Sequence, residues 1–105
     1  MREIHIKTIT EAVERLCIEA CCYLGDDVKQ LLKEAKEKEA SSFGRSILDQ
    51  LLQNIRLSEE EHVPLCQDTG MAVVFLEIGQ DAHIIGGPLN EAIHEGVRGG
   101  YKKGY

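Results

Sequence analysis

The chain has 105 residues, a 43% hydrophobic composition, four cysteines, no tryptophan and a formal net charge of −6. That length suits one small globular domain, the acidic balance counts against a nucleic-acid partner, which needs a basic face, and no apolar run nears the roughly 20 residues of a membrane span. The N-terminus, MREIHIKTITEAVERL, has acids in its first periodic segment and no long apolar core, so it does not read as a signal peptide. A cytoplasmic protein is expected, with reduced thiols or metal ligands rather than a disulfide framework.

In chain order, Thr8 to Leu24 is helical by period, with Ile9, Val13, Leu16, Ala20 and Tyr23 at steps of four and three. Thr8 and Glu11 have the spacing of a capping box, and Gly25 is the expected stop. A second helix starts near Asp26, with Val28, Leu31, Leu32 and Ala35 on one face. Its other face alternates lysine and glutamate and reads as solvated. Glu34 and Lys38 stand at i and i+4 in the favourable order, worth roughly 0.2–0.5 kcal/mol. Ser41 and Ser42 mark a break. A third helix then carries Phe43, Ile47, Leu48, Leu51, Leu52 and Ile55, and fades in SEEEHV, which reads as a loop. MAVVFLEIG is a short apolar run bounded by Gly70 and Gly79 and reads as a strand. GQDAH is a turn, and AHII a short return strand ended by Gly86, Gly87 and Pro88. The last segment, LNEAIHEGVRGGYKKGY, repeats Leu89, Ile93, Val97 and Tyr101 at steps of four. It is expected to be helical, although Gly96, Gly99 and Gly100 each cost it up to about 1 kcal/mol.

This order predicts an α+β fold: N-terminal helices, a short sheet segment, then a helix. One or two strands cannot close a sheet, and a strand as apolar as MAVVFLEI needs neighbours on both edges. The pattern is also interrupted at Tyr105. Both points predict an incomplete piece of something larger.

The chemistry concentrates in VPLCQDTG, Val63 to Gly70. Cys66 can be a buried cysteine, a soft thiolate ligand for iron, or a nucleophile served by His62, His83 or His94. Asp68 before Thr-Gly can cap its own turn or move a proton. Gln67 can donate to a carboxylate or face solvent. Gly70 allows a tight or positive-φ turn, and Pro64 stiffens the approach. Cys17, Cys21 and Cys22 have no usual zinc spacing and read as small core hydrophobes. His94 and Arg98, at i and i+4, read as a surface face, and Gly86-Gly87 is no phosphate loop without the rest of its pattern.

In combination, PLCQDTG resembles the P-x-C-Q-D-T-G signature of the iron–sulfur hydro-lyases, the class I fumarases and the α subunit of L-tartrate dehydratase. The flanks agree: helices upstream, an expected apolar strand after the motif, a GG loop, then NEAIHEGVR, Asn90 to Arg98. The resemblance runs from about Ile9 to Tyr105. It implies a [4Fe–4S] cluster with Cys66 as the first of three cysteine ligands and one iron left open for substrate. Gln67 and Asp68 would then contact a four-carbon dicarboxylate, with Asp68 a candidate acid in its reversible hydration.

The resemblance further implies fumarate hydratase activity, with L-tartrate dehydratase or a non-catalytic scaffold as alternatives. Residues 1–105 would be the N-terminal portion of the α-type catalytic domain. The two other cluster cysteines, a substrate-binding arginine and the catalytic base would come from elsewhere, the base from a C-terminal domain or β subunit. Such a piece is expected to be inactive alone, and oligomeric and oxygen-sensitive in its complete form.

Overall fold

The computed structural model describes residues 1–66 and 70–104. Its elements run β1 (Arg2–His5), α1 (Ile6–Cys22), α2 (Asp26–Lys38), α3 (Ser42–Glu61), β2 (Ala82–Ile85) and α4 (Leu89–Gly104). The expected α+β class is what is found. The chain divides into two compact units, Met1–Glu19 with Asp68–Tyr105, and Ala20–Gln67.

In the first unit β1 and β2 form a parallel pair, in register from Arg2 opposite Ala82 to His5 opposite Ile85. β1 was not expected, and AHII is not the return strand of a hairpin but the partner of the N-terminus. Met71 to Gly79 is not a strand, contrary to the sequence expectation. A ladder needs an edge to bond to, and among the described residues β1 and β2 pair only with each other. The run instead stands exposed along its whole length. Gly70 does take positive φ, at 58°.

β1 hands the chain to α1 at His5, whose Nδ1 accepts the Lys7 N–H at 3.1 Å. His5 thus does the capping expected of Thr8, which lies inside the first turn instead. α1 packs on α4 through small residues. Val13, Ala92, Gly96 and Gly100 are buried. A Cβ on Gly96 would come within 2.7 Å of the Thr10 carbonyl oxygen and of Val13 Cβ, and one on Gly100 within 2.8 Å of Cys17 Cβ. The glycines that weaken α4 as an isolated helix are therefore what lets α1 approach it. Thr10 Oγ1 ties the seam by donating to the Ala92 carbonyl at 2.9 Å, and Lys103 Nζ meets Glu14 Oε1 at 2.5 Å.

In the second unit α2 lies against α3. Gly25 is the N-cap of α2 rather than the left-handed stop of α1, with φ −62° and ψ 146°. Asp26 and Asp27 in the first turn and Lys36 and Lys38 in the last complement the helix dipole. The charged face is only partly solvated: Lys29 pairs with Glu59 and Lys36 with Asp49, both across to α3. Glu34 takes a hydrogen bond from Gln30 rather than pairing with Lys38. Ser41 caps α3 by accepting the Gly44 N–H at 3.2 Å. SEEE is not a loop: α3 continues through Glu61, since glutamate is a good helix former and the hydrophobic period had simply ended. Cys22, Ile55 and Ser58 form the buried centre of this unit. No helix among the described residues is long and apolar enough to cross a membrane.

Candidate functional site

The loop leading to Cys66 is built by the end of α3. His62 stops the helix in the left-handed conformation, φ 54° and ψ 46°, and its N–H returns to the Ser58 carbonyl. The Val63 N–H reaches the same oxygen at 3.3 Å, the six-to-one bond of a Schellman-type stop. The left-handed turn costs a non-glycine residue about 1–2 kcal/mol. The His62 ring lies edge-on to Tyr23, with the Tyr23 hydroxyl 3.3 Å from Nδ1. His62 is thus engaged in ending the helix.

Beyond His62 three polar ties hold the loop. The Ser58 side chain is 1% exposed. Its hydroxyl lies 3.0 Å from the Cys22 carbonyl and 2.5 Å from the Val63 carbonyl. A hydroxyl has one proton, so the two carbonyls share it as a bifurcated bond. The Leu65 N–H donates to the Cys21 carbonyl at 2.8 Å, and Asn54 Nδ2 donates to the Leu65 carbonyl at 2.8 Å. Cys21 and Cys22 are the last residues of α1, whose carbonyls have no partner within the helix. The Leu65 N–H of the loop and the Ser58 hydroxyl of α3 supply those partners, and each bond contributes roughly 0.5–1.5 kcal/mol. The peptide group entering Cys66 is thereby fixed from its carbonyl side, and Cys66 itself is exposed.

The cysteines divide by environment. Cys22 is 1% exposed, and loss of hydration, with the neighbouring Cys21, pushes its thiol above the ordinary 9.0. A thiol held protonated is a poor metal ligand, so Cys22 is the core hydrophobe the sequence predicts. Cys17 and Cys21 are half-buried. Cys66 is the one cysteine of the four that is exposed, as a donor to a group bound outside this unit must be. Among the described residues no group of three or more His, Cys, Asp or Glu could hold a metal ion. An exposed thiol can serve as one donor to an iron–sulfur cluster, and the described residues do not supply the rest of a ligand set.

Gln67 and Asp68 lie outside the described residues. His83, His94 and Arg98 belong to the first unit and are exposed. Arg98 bonds Glu95 at 2.7 Å, which raises its already high pKa, consistent with the surface face expected of it. Sequence reasoning missed Asn54 and Ser58. The available signal was Ser58 following Leu51 and Ile55 at helical spacing, a hydroxyl on an otherwise apolar stripe.

Likeness to known proteins assigns a class first: the matches are to hydro-lyases, enzymes of water addition and removal. The family model described as fumarate hydratase (Fumerase) matches residues 10–105, and the chain belongs to that family. It is 42% identical over 93 residues to "Putative L(+)-tartrate dehydratase subunit alpha" of Methanocaldococcus jannaschii, covering 86% of this chain and 32% of that protein. It is 29% identical over 93 residues to the L(+)-tartrate dehydratase subunit alpha of Escherichia coli K12, covering 86% and 31%. The chain thus spans about a third of the length of these curated relatives.

Proposed function

We propose that this chain is the N-terminal portion of the α-type catalytic domain of a [4Fe–4S] hydro-lyase that reversibly adds water to fumarate to give malate. The observation that carries the reading is the P-L-C-Q-D-T-G motif, with Cys66 exposed on a hydrogen-bonded loop, inside a family match that covers residues 10–105. Cys66 would hold the cluster through its thiolate. The cluster, when bound, supplies an open iron as Lewis acid for the hydroxyl and a carboxylate of the substrate. Gln67 would donate its amide N–H to a substrate carboxylate and so orient the four-carbon chain. Asp68 would hold or deliver the proton that travels with water.

A second reading has support of its own. The relatives described above are named as α subunits of L(+)-tartrate dehydratase, and loss of water from tartrate yields oxaloacetate by the same kind of step. The α designation also supports a β chain as partner. The remaining cluster ligands and the base would come from polypeptide outside residues 1–105. Because an iron–sulfur cluster with an open iron must be kept from oxidation, the working protein is expected in the cytoplasm and to be oxygen-labile.

The test is anaerobic purification of the native protein with every chain that accompanies it. Iron, sulfide and a broad visible absorption are expected, with a higher kcat/KM for fumarate than for L-tartrate. The reverse preference would replace fumarate by tartrate, and a colourless, iron-free protein would make the chain a scaffold. Asp68→Asn should keep the iron and lower kcat by about 100-fold or more, the range of a lost general acid. Undiminished turnover would reduce Asp68 to a turn residue.

A further inference from the structure

We propose that Asn54 and Ser58 are positioning residues for the cluster. Together they fix the loop that presents the Cys66 thiolate. This rests on the reading of Cys66 as a cluster ligand, and goes beyond it by giving a task to two α3 residues outside the motif.

The geometry is specific. Asn54 is exposed, so its side chain has water as an alternative partner, yet its amide donates at 2.8 Å to the carbonyl of the peptide that enters Cys66. The N–H of the same residue, Leu65, is bound at 2.8 Å to the end of α1. Leu65 is therefore held on both of its backbone groups. One turn further along α3, the Ser58 hydroxyl bridges Cys22 and Val63, two residues before Leu65. Asn54 and Ser58 stand at i and i+4, on one side of α3. Both side chains thus address the same short loop, one at its start and one immediately before the thiolate.

A ligand on an untethered loop must be ordered each time the group binds. That entropy is lost in advance when the loop is already pinned. Partners that orient a ligand typically alter metal retention by roughly 10–100-fold when removed. The bonds run to the backbone of Leu65 and Val63, so they locate the residue that carries the sulfur.

The experiment follows cluster retention in the native protein, purified anaerobically with its accompanying chains, after timed exposure to air. Asn54→Asp keeps the size of the side chain and removes the donor, since a carboxylate only accepts. Ser58→Ala removes the bridging hydroxyl. Both are expected to lose iron and visible absorption about 10-fold faster than the unaltered protein, with unchanged helical circular dichroism. Ile55→Val, which thins the same buried centre without removing a hydrogen bond to the loop, should retain its cluster and so separates positioning from general destabilisation. If Ser58→Ala does not fold, Asn54→Asp decides alone. Retention at the unaltered rate in Asn54→Asp, or equal loss in Ile55→Val, overturns the proposal. Cys66→Ala distinguishes the two levels: if it keeps full iron, the ligand reading itself fails; if it is empty while Asn54→Asp is unaffected, only the positioning role fails.

Discussion

Cys22 and Cys66 are two thiols of one unit with opposite surroundings. Cys22 is sealed between the end of α1 and α3, where burial and the adjacent Cys21 keep its proton on. Cys66 stands exposed beyond the pinned loop. The thiolate is the reactive form and must also be reached. Timed iodoacetamide treatment of the apo chain near neutral pH, mapped by peptide mass, should therefore modify Cys66 first and Cys22 last. Equal rates would mean that the buried centre opens freely. At this scale the sequence was informative about type and silent about neighbours. The motif singles out Cys66 as a candidate, whereas Ser58 and Asn54 acquire their meaning only when α3 folds back on the end of α1. Those bonds join residues 36 apart, as in Ser58 to Cys22, and 11 apart, as in Asn54 to Leu65. No local pattern encodes them.

Between elements, glycine substitutions in α4 separate helix propensity from packing. Gly96→Ala should gain up to about 1 kcal/mol of propensity and lose more to overpacking, typically about 1–3 kcal/mol. Its new methyl would meet the Thr10 carbonyl, which is backbone and cannot swing aside. The net expectation is destabilisation by about 1 kcal/mol or more. Gly99→Ala would meet the far end of the Glu14 side chain, which can move. It should be neutral or stabilising by up to about 1 kcal/mol. Urea unfolding of the two variants checks the contrast, and equal effects would refute the close-packed seam.

The α2–α3 contact offers a pH test. The Lys36 ammonium, 2.6 Å away, holds the Asp49 carboxyl below its ordinary 3.8. A carboxylate with a lowered folded pKa contributes stability above its unfolded value and loses it as pH falls through the folded one. Asp49→Asn should thus lower the denaturation midpoint at pH 7 and match the unaltered chain once the pH is well below 3.8. A difference that persisted in acid would assign the effect to packing rather than charge. Periodicity revealed all four helices of the described residues because each repeats its apolar face locally. It missed β1, whose four residues gain meaning only from pairing with β2 at the far end of the sequence. It overstated MAVVFLEIG for the converse reason, since a strand-like composition forms no strand without an edge to bond.

For the molecule as a whole, that apolar run is the largest departure from an ordinary soluble surface. Met71 is 85% and Phe75 92% exposed, and Val73, Val74, Leu76 and Ile78 are exposed with them. Contiguous apolar surface of this kind marks a binding face or an aggregation liability. The chain spans about a third of its relatives' length. The 105-residue chain prepared alone should therefore bind an anilinonaphthalene sulfonate dye in its folded state and enhance its fluorescence. The dye is anionic and the chain carries a net charge of −6, so Coulomb repulsion works against binding and apolar contact must supply it. Replacing Val73 by Thr and Phe75 by Ser together should reduce the enhancement severalfold while leaving the helical circular dichroism unchanged. A second pair, Phe43→Ser with Leu51→Gln, tests the exposed face of α3 in the same way. It should have the smaller effect, because its two side chains stand about two turns apart on the helix rather than within one contiguous run. If the α3 pair abolishes the signal and the Val73–Phe75 pair does not, the dominant apolar surface lies on the helix and the run from Met71 to Ile78 is covered in solution.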